Sequence, residues 1–278
     1  MRVLKRVGVL SVFASLGAIG APERASAAEF SDDGSFVVAQ LDTITVSATR
    51  NPMAAFDYPG QVSVIDREII EDISPSSLSD VFQAIPGAEF SGGPRRSGEV
   101  PTIRGLSGQG VLVLFDGARQ SFLSGHDGRF FIDPEIVQAV EVLRGPASAL
   151  YGSGALGGVI SIRTMTAQDV LEPGERMAGK LSGGFQSVND EWRGTAMGAW
   201  RSENGKIDLI GSGTYRSSGD IALGSGLALP ADDEIVSSLL KGTFQPADDL
   251  RIALSWQRYG GNSLDPNNPQ GATLPEPG

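Results

Sequence analysis

Three rhythms of apolar and polar residues divide this chain. Arg2, Lys5 and Arg6 open it, an apolar stretch runs from Val7 to Gly20, and Ala25-Ser26-Ala27 follows. A charged start, an apolar stretch of that length and an A-x-A site mark residues 1–27 as a secretory signal, too short and wrongly flanked for a membrane helix. Residues 28–49 read as a flexible leader. Its end alternates strictly: Asp42, Thr43, Ile44, Thr45, Val46, Ser47 and Ala48 place Thr43, Thr45 and Ser47 against Ile44, Val46 and Ala48. That is a period of two on residues that favour strands, with no hairpin partner evident beside it. It reads as a lone strand-former able to pair with an edge on another protein.

Residues 50–166 carry the mixed pattern of a small α+β domain. Val62–Ile65 predicts a short strand. Ser74 is expected to cap a helix with Pro75 at its first position and Leu78, Val81, Phe82 and Ile85 on one face, ended by Pro86-Gly87. Val111–Phe115 predicts a buried strand, and Asp116-Gly117 a hairpin turn. Asp133-Pro134 is expected to open a second helix bearing Ile136, Val137 and Val140, before strands at Val142-Leu143 and Val159–Ile162. Residues 167–177 read as a polar linker.

From residue 178 the period is two throughout. Strands are predicted at Gly179–Gln186, Trp192–Arg201, Ile207–Ser217, Ser237–Gln245 and Arg251–Tyr259. In the last, Ile252, Leu254 and Trp256 face one way, and Arg251, Ser255 and Gln257 the other. Connections after the second and fourth are short, and Ser218 to Ile235 after the third is long. Short turns on one side and longer loops on the other suit an outer-membrane barrel whose first strand starts on the periplasmic side.

Charge and composition narrow the possibilities. Cleaving the signal removes four cations and one carboxylate, so the net charge of −11 becomes −14. An acidic exported chain is a poor nucleic-acid ligand. The chain has no cysteine, so disulfides play no part in its stability. Past the signal no apolar run is long enough for a helical span, whereas alternating barrel strands leave hydropathy near neutral. The 37 glycines suit tight turns and close backbone approach.

Gly152, Gly154 and Gly157 spell G-x-G-x-x-G within Leu143 to Thr164. Dinucleotide binding needs a strand before the glycines and a helix after them, and here a strand follows. The same run closely resembles the end of the plug domain of TonB-dependent outer-membrane receptors. Pro101-Thr102-Ile103-Arg104-Gly105 and Val111 to Gly117 resemble two earlier plug segments, and Asp42–Ala48 resembles the TonB box. The resemblance implies an α+β plug followed by an antiparallel transmembrane β-barrel of about 22 strands, of which residues 178–278 supply about five. It also implies a place in the outer membrane of a Gram-negative cell, with membrane lipid around it and TonB as energising partner. Plug arginines at the positions of Arg104 and Arg144 would face barrel carboxylates.

Gly117 to Pro134, with His126 in a glycine-flanked loop, resembles the haem and haemoprotein branch of that family. There a plug-loop histidine ligates haem iron, and His126 is the single histidine of this chain. Imidazole suits that role. Haem is then the transported ligand, no prosthetic group is implied, and no metal is bound except haem iron through His126. A ferric-siderophore receptor of the same architecture, which leaves His126 without a role, and a non-functional truncated fragment are the alternatives. A signal-transducing receptor would need a folded domain ahead of the TonB box, and about 14 residues are too few. Enzymatic readings find little: one histidine, no cysteine, no G-x-S-x-G and no zinc spacing. Asp232-Asp233-Glu234 and Asp248-Asp249 read as solvated loop charge, without the alternation of a calcium loop.

Overall fold

The computed structural model describes residues 45–46, 53–54, 60–91, 99–120, 132–247 and 250–263, with the backbone of Ser15–Gly17. Strand β1 is Ser15–Gly17, β2 Thr45–Val46 and β3 Met53–Ala54. β2 pairs antiparallel with β3, Thr45 opposite Ala54 and Val46 opposite Met53. The alternating leader therefore does have a partner nearby, supplied by the residues just after Asn51-Pro52.

The α/β domain then runs β4 (Gln61–Ile65), α1 (Arg67–Ile73), α2 (Leu78–Phe82), β5 (Ala88–Ser91), β6 (Val100–Ile103), β7 (Leu106–Ser107), β8 (Val111–Phe115) and β9 (Ala118–Gln120). A 3-10 turn at Pro134–Ile136 leads into β10 (Val137–Arg144), α3 (Ser148–Tyr151) and β11 (Gly158–Thr164). The main sheet has the order β4-β10-β11-β8-β9, with only β11 and β8 parallel, and β5-β6-β7 form a side sheet. Val113 and Phe115 pack with Ile70, Phe82, Ile160 and Ile162, while Leu112 and Leu114 pack on the other face with Leu143, Val159 and Tyr151. Both faces of β8 are covered, which is why its sequence is apolar without alternation. Asp116 (φ 47°) and Gly117 (φ 83°) form the tight turn into β9. Gly158 is required sterically, since a Cβ there would lie 2.1 Å from the Leu143 carbonyl oxygen.

Three expectations change. Ser74 is not a helix start: it ends α1 in the left-handed region (φ 49°), and a helix start needs extended backbone. The second helix begins after Ser77, where the Asp80 carboxylate accepts from the Ser76 and Ser77 N–H groups at 2.8 and 3.2 Å. Asp133-Pro134 opens a single 3-10 turn, and Val137 and Val140 belong to β10. Residues with β-branched side chains buried on both faces of a central strand outweigh the short helical signal. The segment read as a polar linker contains α4 (Ala167–Val170), and Met165, Ala167 and Leu171 are buried against Met197, Ala199 and Ile210.

The rest is a meander: β12 (Met177–Gln186), β13 (Glu191–Arg201), β14 (Ile207–Ser218), a hairpin of β15 (Ile221–Ala222) and β16 (Ala228–Leu229), then β17 (Asp233–Ala247) and β18 (Leu250–Ser263). β12, β13, β14, β17 and β18 pair antiparallel in that order, and β1 lies along the far edge of β18. All five predicted strands are present. This wall is inside out compared with a water-soluble sheet. Leu181 (85% exposed), Phe185 (70%), Trp192, Leu209, Tyr215, Val236, Leu240 and Leu254 point away from the α/β domain. The wall's polar inward residues point towards it beside a smaller buried apolar set, Met197, Ala199, Ile210, Ile235 and Leu239. Apolar residues outside and polar residues inside are the pattern of a lipid-facing barrel wall. Trp192 and Tyr215 pack with ring centroids 5.0 Å apart towards one end of that apolar band.

Candidate functional site at the domain–wall interface

Strand alternation sends residues 180, 182, 191, 193, 208, 216, 237, 241 and 243 to the inner side of the wall, where the α/β domain covers most of them. A charge placed dry requires a partner. The contacts between the two parts mostly pair wall cations with acids of the domain, although the wall also carries Glu191 and Asp208 and the domain Arg67.

Arg216 and Asp133 are both fully buried, with Nη2 and Oδ1 3.4 Å apart. Ser237 Oγ donates to the other Asp133 oxygen at 2.7 Å, and Arg216 Nη1 donates to wall residue Glu191 in a close contact. Asp133 also accepts from the Glu135 N–H, so it holds the 3-10 turn and the wall together.

A second contact lies at the hairpin turn. Lys241 Nζ is 3.1 Å from Asp116 Oδ1 and donates to Thr164 Oγ1 at 2.9 Å. Asp116 accepts in turn from the Thr164 N–H at 2.9 Å and its hydroxyl at 2.6 Å. A turn residue of β8–β9, the end of β11 and a wall lysine thus form one unit.

The third group surrounds α1. Arg193 Nε is 3.3 Å from Glu135 Oε1, and its Nη2 donates to Ser74 Oγ at 2.8 Å. Ser182 Oγ donates to Glu135 at 3.1 Å. Arg67 bridges Glu71 at 2.9 Å and Glu135 at 3.8 Å, and Lys180 contacts Glu71 closely. The Lys180 hydrogen bond, supported by Arg67, holds the Glu71 carboxyl below its ordinary range. The cavity among these groups is about 210 Å³, room for a few waters. Elsewhere in the domain, burial raises the Glu99 carboxyl, although Ser77 and Ser79 hydroxyls counter it.

The residues singled out in the sequence lie elsewhere. Arg144 donates to the Pro86 carbonyl at 2.8 Å and to Ser63 Oγ at 2.8 Å, and Arg104 donates to Gln61. Among the described residues neither arginine meets a wall carboxylate. Of Asp42–Ala48 only the strand Thr45–Val46 is described; Asp42, Thr43, Ile44, Ser47, Ala48 and His126 lie outside the described residues. The anchoring roles of Asp116, Asp133, Glu135, Arg193, Arg216 and Lys241 escaped the sequence reading, which took Asp116 for a turn residue and Asp133 for a helix start. Their signal was present in part, since Arg193, Arg216 and Lys241 sit on the inward period of strands whose outward period is apolar.

Residues 54–159 match the family model of the TonB-dependent receptor plug domain. The chain belongs to the TonB-dependent receptors. The α/β domain is therefore the plug, and the family is one of receptors rather than enzymes. Over 229 residues, 82% of this chain, it is 35% identical to the hemin receptor of Yersinia enterocolitica, covering 33% of that protein. It is 38% identical over 151 residues, 54% of this chain and 20% of the relative, to the heme/hemopexin utilization protein C of Haemophilus influenzae. The structure is similar to a double mutant of the Serratia marcescens hemophore receptor HasR, solved with its hemophore HasA and heme. The TM-score is 0.69 at 26% identity, covering 75% of this chain and 32% of HasR. The chain spans about a third of the length of the first of these curated relatives.

Proposed function

We propose that this chain is the plug and first wall strands of an outer-membrane receptor that takes up haem, from free haem or haemoproteins, and is energised by TonB. The observation that carries the reading is a plug seated against a lipid-facing wall in a chain similar over most of its length to a hemin receptor. Asp42–Ala48 is the segment to which TonB adds as a strand. Its backbone donors lie on a leader ahead of the plug, where a pull reaches the β2–β3 pair and then β4. His126 supplies an axial nitrogen to haem iron, and neutral imidazole is the binding form, so affinity falls as pH drops through the histidine's titration range. Arg104 and Arg144, bonded within the plug, are placed in this proposal to meet carboxylates of further wall strands.

The test is His126→Ala in the intact receptor, read by haem titration and the Soret band. Weaker binding with an altered Soret band, at unchanged expression, is expected. Parent-like binding and import would remove the axial role of His126, and absence of haem binding by the parent would favour a ferric-siderophore receptor.

A further inference from the structure

Arg193 and Arg216 stand directly opposite each other on β13 and β14, both on the inner face of the wall. Like charges at directly opposed positions repel, because neighbouring strands set their Cβ atoms only about 5 Å apart. In a water-filled lumen solvent would screen that repulsion. Here the plug has displaced the solvent: the Arg193 side chain is 9% exposed and Arg216 is fully buried. Glu191 neutralises one of the two cations from within the wall. The second charge is met from the plug, by Glu135 on Arg193, and Asp133 takes Arg216 Nη2, while Arg216 Nε has no partner among the described residues. Asp133 caps the single 3-10 turn Pro134–Ile136 and Glu135 lies within it, so one short piece of plug backbone carries both. Arg67 ties the same turn to α1 through the Pro134 and Val137 carbonyls at 3.0 Å each.

We infer that this arginine pair and the Asp133–Glu135 turn form a charge-coded seat that keeps the plug closed over the lumen. The seat is conditional. With both acids ionised, burying the arginines is favourable. With the acids neutral, the same burial leaves two apposed cations with one wall carboxylate between them, and moving the plug away so that water returns becomes the cheaper state. The plug then opens at this wall while the barrel itself stays folded. Removing the arginines together with the Glu191 charge should remove the incentive to open. This inference goes beyond the proposed ligand and does not depend on it.

The experiment is ion conductance of the intact receptor in planar lipid bilayers, with no ligand present. Asp133→Asn combined with Glu135→Gln keeps the shape of the turn and discharges it. Channel openings should become at least about tenfold more frequent than in the parent, since breaking buried ion pairs is worth well over a factor of ten. Adding Arg193→Gln, Arg216→Gln and Glu191→Gln to that variant, so that no wall charge is left buried alone, should return it to parent-like closure. Asp116→Asn, whose partner is Lys241, should not be rescued by the three wall changes. A discharged turn that stays as closed as the parent, or openings that persist after the three wall charges are removed, would overturn the seat. Should the acid variant fail to reach the membrane, the fivefold variant that also carries the three wall changes decides: sealed insertion supports the seat, and failure to insert counts against it.

Discussion

Asp116→Ala separates a turn residue from an anchoring residue. Asp116 accepts from the Thr164 N–H and hydroxyl and faces Lys241 at 3.1 Å, with both charged side chains about nine-tenths buried. Truncation leaves a buried strand N–H unsatisfied and withdraws the counter-charge from a buried ammonium, although Lys241 keeps Thr164 Oγ1 at 2.9 Å. Alanine also tolerates the left-handed turn position less well than aspartate. Losing a charged hydrogen-bonded pair costs about 3–5 kcal/mol, and the surviving Thr164 contact points to the lower end, about 3 kcal/mol. Asp116→Asn keeps the turn preference and one acceptor for the Thr164 N–H, so about half of that is expected. Amide hydrogen exchange in the intact receptor is the assay, followed on peptides covering β8 and β11. A local loss of about 3 kcal/mol accelerates exchange of these strands roughly 100-fold, and the asparagine variant roughly tenfold. Equal rates in parent and Asp116→Ala, within about threefold, would show that the Lys241 contact contributes nothing to holding the plug sheet.

Ile44→Pro or Val46→Pro should abolish energised uptake and leave ligand binding at the cell surface intact, because proline removes a backbone donor needed for strand addition; normal uptake would make Asp42–Ala48 a mere leader. Leu240→Arg, on the outward apolar side of β17 at a residue 55% exposed, should cost about 2–4 kcal/mol in the proposed membrane setting and reduce the heat-modifiable folded species on gels. Glu71 is lowered in the folded protein by the Lys180 hydrogen bond, so its contribution is present above the ordinary carboxylate range and is lost as pH falls through the folded value. Exchange at α1 should therefore accelerate on acidification, and Lys180→Met should flatten that dependence; an unchanged profile would show the contact to be idle.

Long alternation made the wall legible: each of its five strands was readable because one face is apolar and outward and the other mostly polar, the pattern of a barrel wall. Val111–Phe115 and the Asp116-Gly117 turn were legible for the opposite reason, as an apolar run closed by a residue pair suited to left-handed backbone. α1 was not, because in Arg67–Ile73 only Ile70 is buried while Ile69 and Ile73 are more than a third exposed, so no apolar stripe marks it. The interface was least legible. Asp133 meets Arg216 across 83 residues of chain. Inward period could flag Arg216 and Lys241 as charges needing partners, but the choice of partner depends on how the plug docks, which local pattern does not encode.

The two parts of the molecule close on different clocks. In the wall each strand pairs with the next, Phe185 with Trp192 and Leu240 with Trp256, so pairing can zip forward from every turn. In the plug Ile65 waits for Val140, and Val111 waits for Gly158 before the parallel pair can form. Non-local pairing of that kind is slow, because loop entropy is lost before contacts compensate it. Translated first, the plug is thus the part slower to complete its sheet. Asp116 and Asp133 reach Lys241 and Arg216 only once both parts have formed, which makes docking the last event rather than the first.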